Sequence, residues 1–433
     1  MQIEGATVLV AGMAKSGIAA VELLRKKGAR VIACDIKPLN AIPQVQALGV
    51  DFRIQSPDAF RGVDLIVLSP GVPLNAVPKD IAAPVIGDLE LVAPFLKGRV
   101  IGITGSNGKT TTTSMVAHIL KKSGIPAQVG GNIGVPPAAM VNASREDQWN
   151  VLELSSFQLE TIHDFRAHIG VCLNITPDHL DRHGTLEAYA AAKRRLFETQ
   201  TESDYAVLNA DDPICSTFKT KSQVAWFSLE QPVPAPGFWL ENNVLRNHQG
   251  PLMEAAEIPV RGRHNIENTL AAATSAHLAG ATLAQIRAAV RTFKAVEHRL
   301  EFVRHWNGID FYNDSKATNV DATLKAIEAF DGGLWIILGG KDKDSDYTVL
   351  REPLHRKAKA ALLIGDAAQK IAAQLNGALT LAHSKDLKTA IETAASSAAK
   401  DDTVLLAPAC ASFDQFDNYE HRGRVFKSIV NSL

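Results

Sequence analysis

The sequence is poor in cysteine, and its cysteines lie far apart. Four are present, Cys34, Cys172, Cys215 and Cys410, and no two of them form a CxxC pair. A disulfide framework or a zinc knuckle needs closely spaced pairs, so this distribution favours reduced thiols in the core of a cytoplasmic protein.

Net charge and long apolar runs are also lacking. The 433 residues include 45 basic and 46 acidic side chains, which argues against a general nucleic-acid surface or a polybasic membrane surface. No apolar run approaches the roughly 18 residues of a membrane span. The N-terminus "MQIEGATVLV" enters a strand pattern without the features of a signal peptide. We expect a soluble, monomeric, cytoplasmic protein that binds neither nucleic acid nor membranes.

The sequence does contain short apolar runs that alternate with helical stretches, which is typical of α/β proteins with parallel sheets. We predict three α/β domains: a Rossmann-like domain (1–92), a central P-loop ATPase domain (93–296) and a second Rossmann-like domain (297–433). Strands are predicted at 7–12, 30–35, 65–71, 84–87, 99–105, 149–156, 169–176, 205–212, 301–314, 334–340, 360–366 and 403–409.

Three other segments carry recognisable patterns. Residues 223–262 are rich in Pro and Trp, and they predict an antiparallel insert. Residues 264–280 and 283–294 are spaced as helices. Asn307-Gly308, between two alternating runs, predicts a type I′ hairpin turn.

The stretch "ITGSNGKTTTTS" (103–114) resembles a phosphate-binding loop but departs from G-x-x-x-x-G-K-[ST], because Ile103 stands where the first glycine belongs. A strand that runs through such a turn into a helix presents unpaired N–H groups to phosphate. Lys109 is then expected on the β- and γ-phosphates and the Thr110 hydroxyl on Mg²⁺. The alternative is a glycine turn beside a surface lysine.

Acidic and imidazole groups follow the next strands. Glu153 ends the run "NVLEL", where its carboxylate would face the loop and hold a metal ion. His179 and His183 in "TPDHLDRHG" are four residues apart. This spacing leaves three alternatives open: a zinc pair, a contact from His179 alone to Mg²⁺ or an oxyanion, and a solvated loop histidine.

Lys193 lies in "AYAAAKRRLFE", where helical spacing puts it on the side of Tyr189 and Leu196. Spacing alone favours one more helix-surface cation beside Arg194 and Arg195.

The turn "VAGMAKSG" (10–17) approximates the dinucleotide fingerprint G-x-G-x-x-G, with Asp35 at the end of the next strand. Ala14 replaces the middle glycine, and its Cβ would obstruct a pyrophosphate. A nucleotide could still bind at these strand ends, beside "LSPGVP" (68–73). The alternative is a turn that serves only strand–helix packing.

Polar loops follow three strands near the C-terminus. "YNDSKATNVDA" carries Asp314, Ser315, Lys316, Thr318 and Asn319, and the other two loops carry Lys341 with Lys343 and Ser412. Each could be a solvated loop, but three at the strand ends of one domain favour a small anionic substrate.

Seven motifs together resemble the Mur ligase family along the whole chain. They are "TGSNGKT", "LELSSFQL", "NITPDHLDRH", "AYAAAKRRLFE", "GRHNIENTLAA", "EHRLE" and "PACASFDQF", in the family's order and spacing. "NDSKATN" is similar to the branch of that family that adds D-glutamate.

The resemblance implies an ATP-dependent amide ligase of peptidoglycan precursor synthesis. Such an enzyme joins D-glutamate to UDP-N-acetylmuramoyl-L-alanine through an acyl phosphate and releases ADP and phosphate. ATP and two Mg²⁺ ions are implied as cofactors. Lys193 is similar to the family's carbamylated lysine, which reverses the expectation from spacing, because a carbamate offers a hard metal an oxygen ligand.

The resemblance also implies a role for individual residues. The implied catalytic residues are Lys109, Glu153, His179 and Lys193, and the implied metal ligands are Thr110, Glu153, His179 and Lys193. ATP would contact Gly105, Ser106, Asn107, Gly108, Lys109, Thr110, Thr111, Asn268, Arg299 and Asp314. The UDP substrate would contact Lys15, Ser16, Asp35, Ser69, Asn132 and Ser155. D-Glutamate would contact His298, Lys316, Thr318, Lys343, Ser412 and Tyr419.

Three rival functions remain at this point. Another amino-acid ligase of the same family would differ in which amino acid triggers phosphate release. A nucleotide-sensing protein would not need a second metal site at Glu153 and Lys193. An NAD-dependent dehydrogenase is disfavoured by Ala14.

Overall fold

Five parallel strands near the N-terminus form the first sheet of the computed structural model, which describes residues 2–433. The strands are β1 Thr7–Ala11, β2 Arg30–Asp35, β3 Asp51–Ile54, β4 Leu65–Leu68 and β5 Val85–Gly87. They lie in the order β3-β2-β1-β4-β5, with the helices α1 Lys15–Lys26, α2 Pro43–Leu48 and α3 Asp88–Val92 between or after them. The central strands are buried apolar runs, as parallel strands require.

Nine strands form the second sheet. They are β6 Arg99–Thr104, β7 Ala127–Gly131, β8 Trp149–Glu153, β9 Ile169–Cys172, β10 Tyr205–Asn209, β11 Gln223–Ser228, β12 Phe238–Glu241, β13 Val244–Asn247 and β14 Gly250–Glu254. Their order is β14-β13-β12-β11-β10-β9-β6-β8-β7. The last three strands pair antiparallel at one edge. This arrangement confirms the antiparallel insert predicted between residues 223 and 262.

Seven helices accompany this part of the chain. They are α4 Lys109–Lys122, α5 Pro137–Met140, α6 Ser156–Leu159, α7 Leu180–His183, α8 Leu186–Arg194, α9 Arg263–Leu278 and α10 Leu283–Val290. The phosphate-loop candidate thus lies between β6 and α4, as the sequence predicts.

Six strands form the third sheet. They are β15 Glu301–Trp306, β16 Ile309–Asn313, β17 Leu334–Gly339, β18 Ala358–Ile364, β19 Thr380–His383 and β20 Thr403–Leu406, in the order β15-β16-β20-β17-β18-β19. The helices of this sheet are α11 Val320–Glu328, α12 Arg351–Lys357, α13 Ala368–Leu375, α14 Leu387–Ser397 and α15 Tyr419–Ser432. Asn307 and Gly308 have φ of 48° and 83°, which confirms the predicted I′ turn between β15 and β16.

The α/β class is confirmed. Each sheet falls within one of the three predicted domain ranges, whereas contacts divide the chain into two units, residues 2–254 with Asn268–Val290 and Ala255–Glu267 with Arg291–Leu433. The domain boundaries therefore stay a prediction. All four cysteines are free and buried. Across residues 2–433, no helix combines the length and apolar character needed to cross a membrane.

Candidate active site

The loop between β6 and α4 is shaped by two glycines. Gly105 and Gly108 have φ of 146° and 84°, conformations that side chains with a Cβ rarely adopt. A Cβ on Gly108 would also collide with Asn268 Oδ1. The glycines therefore stand where the chain bends, and Ile103 lies inside the preceding strand, which explains the departure from the usual pattern.

Asn174, which follows β9, holds this loop in place. Its Oδ1 accepts a hydrogen bond from Asn107 N (2.8 Å) and its carbonyl accepts one from Ser106 N (2.8 Å). Ser106 Oγ donates to Thr176 O at 2.9 Å. Sequence reasoning missed Asn174, although an asparagine directly after the apolar run "IGVCL" was the available signal.

A buried carboxylate faces the loop, as predicted. The Glu153 side chain is 1% exposed. Its Oε2 accepts a hydrogen bond from Thr110 Oγ1 (2.7 Å) and its Oε1 one from Asn132 Nδ2 (3.1 Å). Because both donors are neutral, the site provides oxygen ligands and a negative charge that a hard cation would balance.

Lys193 is buried at the same loop, so the helix-surface expectation from spacing is wrong. The residue is 1% exposed, because the face of α8 that carries Tyr189 packs inward. Its Nζ lies 4.5 Å from the centre of the Tyr189 ring and donates to Gly105 O at 2.9 Å. Burial, and then the charge of Lys109, lowers the pKa of Lys193 to about 7.

Lys109 donates to the same carbonyl as Lys193. Its Nζ lies 2.8 Å from Gly105 O and 2.8 Å from Ser106 O. Two amines therefore share one acceptor, which makes the protonated form of the more deeply buried one costly.

His179 and His183 do not converge as a zinc pair. His183 is turned to Ser156 Oγ (3.0 Å) and Glu160 Oε1 (3.4 Å), while the more exposed His179 lies beside Asp178 (3.7 Å between Nε2 and Oδ2). Of the His, Cys, Asp and Glu side chains in residues 2–433, only Glu297, His298 and Glu301 group closely enough to suggest a metal. The ammonium of Lys427 already pairs with both of those glutamates.

A cavity of about 830 Å³ opens at the carboxyl ends of β1, β2 and β4. Five of the six residues expected at the UDP substrate line it: Lys15, Ser16, Asp35, Ser69 and Asn132. Ser69 Oγ donates to Gly12 O at 2.6 Å, and the Asp35 carboxylate accepts from Met13 N at 2.6 Å. Asn132 thus links this cavity to Glu153, whereas Ser155 caps α6.

The second unit contains the residues predicted to contact D-glutamate, together with Arg299 and Asp314. Burial raises the pKa of Asp314 to about 7, although the charge of Arg299 opposes the shift. Lys316 Nζ donates to the hydroxyl of Tyr419 at 2.8 Å, and the ring of Tyr419 lies edge-on to that of His298. Thr318 N donates to Lys316 O at 2.8 Å. Ser412 is buried and Lys343 is exposed.

Arg422, which sequence reasoning missed, underlies this group. It is 0% exposed and donates to Ser315 Oγ (3.0 Å), Ser315 O (2.9 Å), Cys410 O (3.2 Å) and Ala411 O (3.4 Å). Burial lowers its pKa to about 10. The segments that carry Lys316 and Ser412 are therefore tied to α15 by one guanidinium.

The sheets and the phosphate loop define a nucleotide-binding α/β protein, and comparison with known proteins identifies its family. Residues 103–276 match the Mur ligase middle domain and residues 298–410 match the glutamate ligase domain of Mur ligases. The chain belongs to the Mur ligase family. It is 62% identical to a UDP-N-acetylmuramoylalanine--D-glutamate ligase of Solibacter usitatus, over 100% of this chain and 99% of the relative. A ligase of the same name from Acidobacterium capsulatum is 50% identical, with 99% and 97% covered.

Solved structures share the fold. MurC, the UDP-N-acetylmuramate-alanine ligase of Thermotoga maritima, gives a TM-score of 0.63 at 19% identity and covers 99% of both chains. The MurF ligase of Thermotoga maritima in complex with ADP gives 0.64 at 18% identity, with 99% of this chain and 96% of that one covered.

Proposed function

We propose that this chain is the ATP-dependent ligase that joins the amine of D-glutamate to the alanyl carboxylate of UDP-N-acetylmuramoyl-L-alanine in peptidoglycan precursor synthesis. The observation that carries the proposal is the convergence of Lys109, Thr110, Glu153 and Lys193 on one phosphate loop. These residues belong to a chain that is 62% identical, over its whole length, to a ligase of that name. We further propose that it acts as a monomer in the cytoplasm.

The residues at the loop fit ATP and magnesium. Backbone N–H groups at the start of α4 and the ammonium of Lys109 suit the phosphates. Thr110 and the buried carboxylate of Glu153 offer the hard oxygen ligands that Mg²⁺ prefers. Bound there, Mg²⁺ would neutralise charge that develops during phosphoryl transfer. We assign His179 and Lys193 to a second ion.

Lys193 suits carbamate formation. An amine with a pKa of about 7 is substantially neutral at neutral pH, so its lone pair can attack carbon dioxide to give a carbamate and release one proton. The negative charge formed would face Lys109, whose positive charge disfavours the protonated amine. Carbamate formation would replace the repulsion between the ammonium groups of Lys193 and Lys109 by an attraction. It would also supply a further oxygen ligand for a metal ion.

The proposed reaction has two steps. The alanyl carboxylate attacks the γ-phosphorus of ATP, which breaks the bond to the β–γ bridging oxygen, releases ADP and forms an acyl phosphate. The amine of D-glutamate then attacks the carbonyl carbon of the acyl phosphate, expels phosphate and loses one proton to give the amide. The chain contributes positioning and charge, because phosphoryl transfer needs no nucleophilic side chain. Asn132 lies within hydrogen-bond distance of Glu153 and also lines the nucleotide cavity, so it can align the substrate arm with the metal ligands.

The remaining assignments follow the resemblance. ATP also contacts Gly105, Ser106, Asn107, Gly108, Thr111, Asn268, Arg299 and Asp314. The UDP substrate contacts Lys15, Ser16, Asp35, Ser69 and Ser155 besides Asn132. D-Glutamate contacts His298, Lys316, Thr318, Lys343, Ser412 and Tyr419.

Phosphate release tests the reaction. Purified protein is mixed with ATP, Mg²⁺ and UDP-N-acetylmuramoyl-L-alanine, and each candidate amino acid is added in turn. We expect release that depends on D-glutamate. Release triggered instead by L-alanine, a diamino acid or a dipeptide would assign another branch of the family, and ATP binding without any turnover would indicate a nucleotide sensor.

Carbon NMR tests the carbamate. Protein equilibrated with ¹³C-bicarbonate should show a carbamate carbon signal that Lys193→Met abolishes and that Lys122→Met, at the C-terminal end of α4, leaves intact. An identical signal in Lys193→Met would remove Lys193 from this role.

A further inference from the structure

The loop that follows β17 is held by a lysine outside the predicted amino-acid site. Lys370 on α13 donates from Nζ to Asp342 Oδ2 (2.8 Å) and to Asp344 Oδ1 (3.1 Å). Lys343 lies between these two aspartates in the chain. One ammonium therefore fixes the residues on both sides of Lys343.

Of the two aspartates bound to Lys370, Asp342 is the one held by further hydrogen bonds. Its Oδ1 accepts hydrogen bonds from the Tyr347 hydroxyl (2.7 Å) and from Ser345 N (3.2 Å). Tyr347 is 0% exposed, and its hydroxyl lies 3.0 Å from Cys410 Sγ. The loop is therefore anchored by the buried side chain of Tyr347 as well as by its ion pair with Lys370.

The contact between Lys370 and Asp344 is weaker, but Asp344 has an unfavourable backbone conformation that the contact can stabilise. Asp344 is fully exposed, and such ion pairs contribute little by themselves. Its φ of 59° lies in the left-handed region, which a residue with a Cβ adopts at a cost. The bond to Lys370 helps to hold that conformation.

The start of the loop is joined to the segment that carries Ser412. Lys341 N donates to Ala411 O (2.9 Å) and Ala411 N donates to Lys341 O (3.2 Å). Two of the residues assigned to D-glutamate, Lys343 and Ser412, therefore belong to loops that are bonded to each other.

We propose that Lys370 is a positioning residue for the amino-acid substrate, acting through Asp342 and Asp344 to set the loop of Lys343. The proposal rests on the proposed function, because it needs Lys343 to meet a substrate carboxylate. Lys370 also balances the two aspartates, which would otherwise oppose the approach of an anionic amino acid. The bonds that Asp342 makes to Lys370 and Tyr347 then support the loop that carries Lys343.

Steady-state kinetics of Lys370→Met test the proposal. We expect the KM for D-glutamate to rise about threefold to fivefold, the scale of one partly exposed ion-pair network, while kcat and the KM for ATP stay within about twofold. Lys370→Arg should restore most of the loss. Lys388→Met is the matched control, since it removes the same charge from an exposed ion pair with Glu392 on α14.

The outcomes separate the two proposals. An unchanged KM for D-glutamate in Lys370→Met, or an equal rise in both KM values, would overturn the role of Lys370. If that variant does not fold, Tyr347→Phe decides, because it removes only the hydroxyl bound to Asp342 and keeps the buried ring; an unchanged KM for D-glutamate there overturns the proposal. Wild-type protein without D-glutamate-dependent phosphate release would instead refute the proposed function.

Discussion

The Thr110 hydroxyl donates a 2.7 Å hydrogen bond to Glu153, so the first turn of α4 and the end of β8 meet at one buried carboxylate. A buried negative charge with neutral donors is costly unless a cation balances it. The loop proposed to bind phosphate and the carboxylate proposed to bind metal are therefore joined by a direct hydrogen bond.

The charge of Glu153 is the first property to test. Glu153→Gln keeps the shape but removes the negative charge, so we expect phosphate release to fall by about 100-fold or more, the scale of one essential electrostatic contact. The melting temperature should be unchanged or higher, because a neutral amide is cheaper to bury. Glu187→Gln, an exposed position on α8, should alter neither. Substantial activity in Glu153→Gln would contradict the metal assignment.

Lys193 predicts a specific pH dependence of stability. Its pKa is about 7 in the folded chain and 10.5 in the unfolded one. Between those values the unfolded chain binds more protons, so the free energy of unfolding rises with pH by about 1.4 kcal/mol per unit from this group. Lys193→Met should lack that rise in urea denaturation between pH 7 and pH 10 in carbonate-free buffer. Parallel curves for the two proteins would show that Lys193 is not perturbed.

Asp88 predicts a pH dependence of stability with the opposite sign to that of Lys193. It is 2% exposed, its Oδ2 accepts from Gln158 Nε2 (3.0 Å), and its Oδ1 has no hydrogen-bond partner within residues 2–433. Burial raises its pKa from 3.8 to about 6. The folded chain binds the proton more tightly, so stability falls as pH rises through this window.

Asp88→Asn should remove that penalty. We expect a gain of about 3 kcal/mol in the free energy of unfolding at pH 7.5 and little gain at pH 4. Asp147→Asn, in an exposed ion pair with Arg145, should change the value by less than about 0.5 kcal/mol. A gain of equal size at both pH values would mean that the ionisation of Asp88 is not its cause.

Arg422 should be one of the most sensitive positions in the second unit. Arg422→Met would leave the carbonyls of Ser315 and Cys410 without their donor, and we expect a loss of about 3 kcal/mol. Arg422→Lys should recover little, because an ammonium cannot reproduce the planar fork. Arg424→Met, at an exposed position, provides the control. Chemical denaturation measures all three, and a loss no greater than that of Arg424→Met would contradict a structural role.

The sequence predicts the central strands, and the strands that it misses all lie at the edges of sheets. The structure adds β3, β7 and β19 to the predicted strands, and each lies at the edge of its sheet. Because an edge strand has one neighbour and is partly solvated, it needs no continuous apolar run. "DFRI" and "TLAH" contain only partly buried and exposed residues, so no periodicity distinguishes them from loops.

The same limit applies to the candidate site. The phosphate loop and Glu153 are local signals, since each follows an apolar strand directly. Lys193 is different: helical spacing puts it beside Tyr189, but only the packing of α8 shows that this face is buried. Arg422 and Lys370 act through residues that are distant in the chain, and no motif around either one reveals those contacts.

The antiparallel strands at the end of the second sheet have a consequence for self-association. An exposed edge strand offers unpaired N–H and C=O groups to another chain, which is a route to aggregation. Here the outermost strand, β14, carries Pro251, which has no N–H to donate, and the register between β13 and β14 shifts at Leu245 and Arg246. Both features impair strand addition, so the insert protects the long sheet from polymerising through this edge.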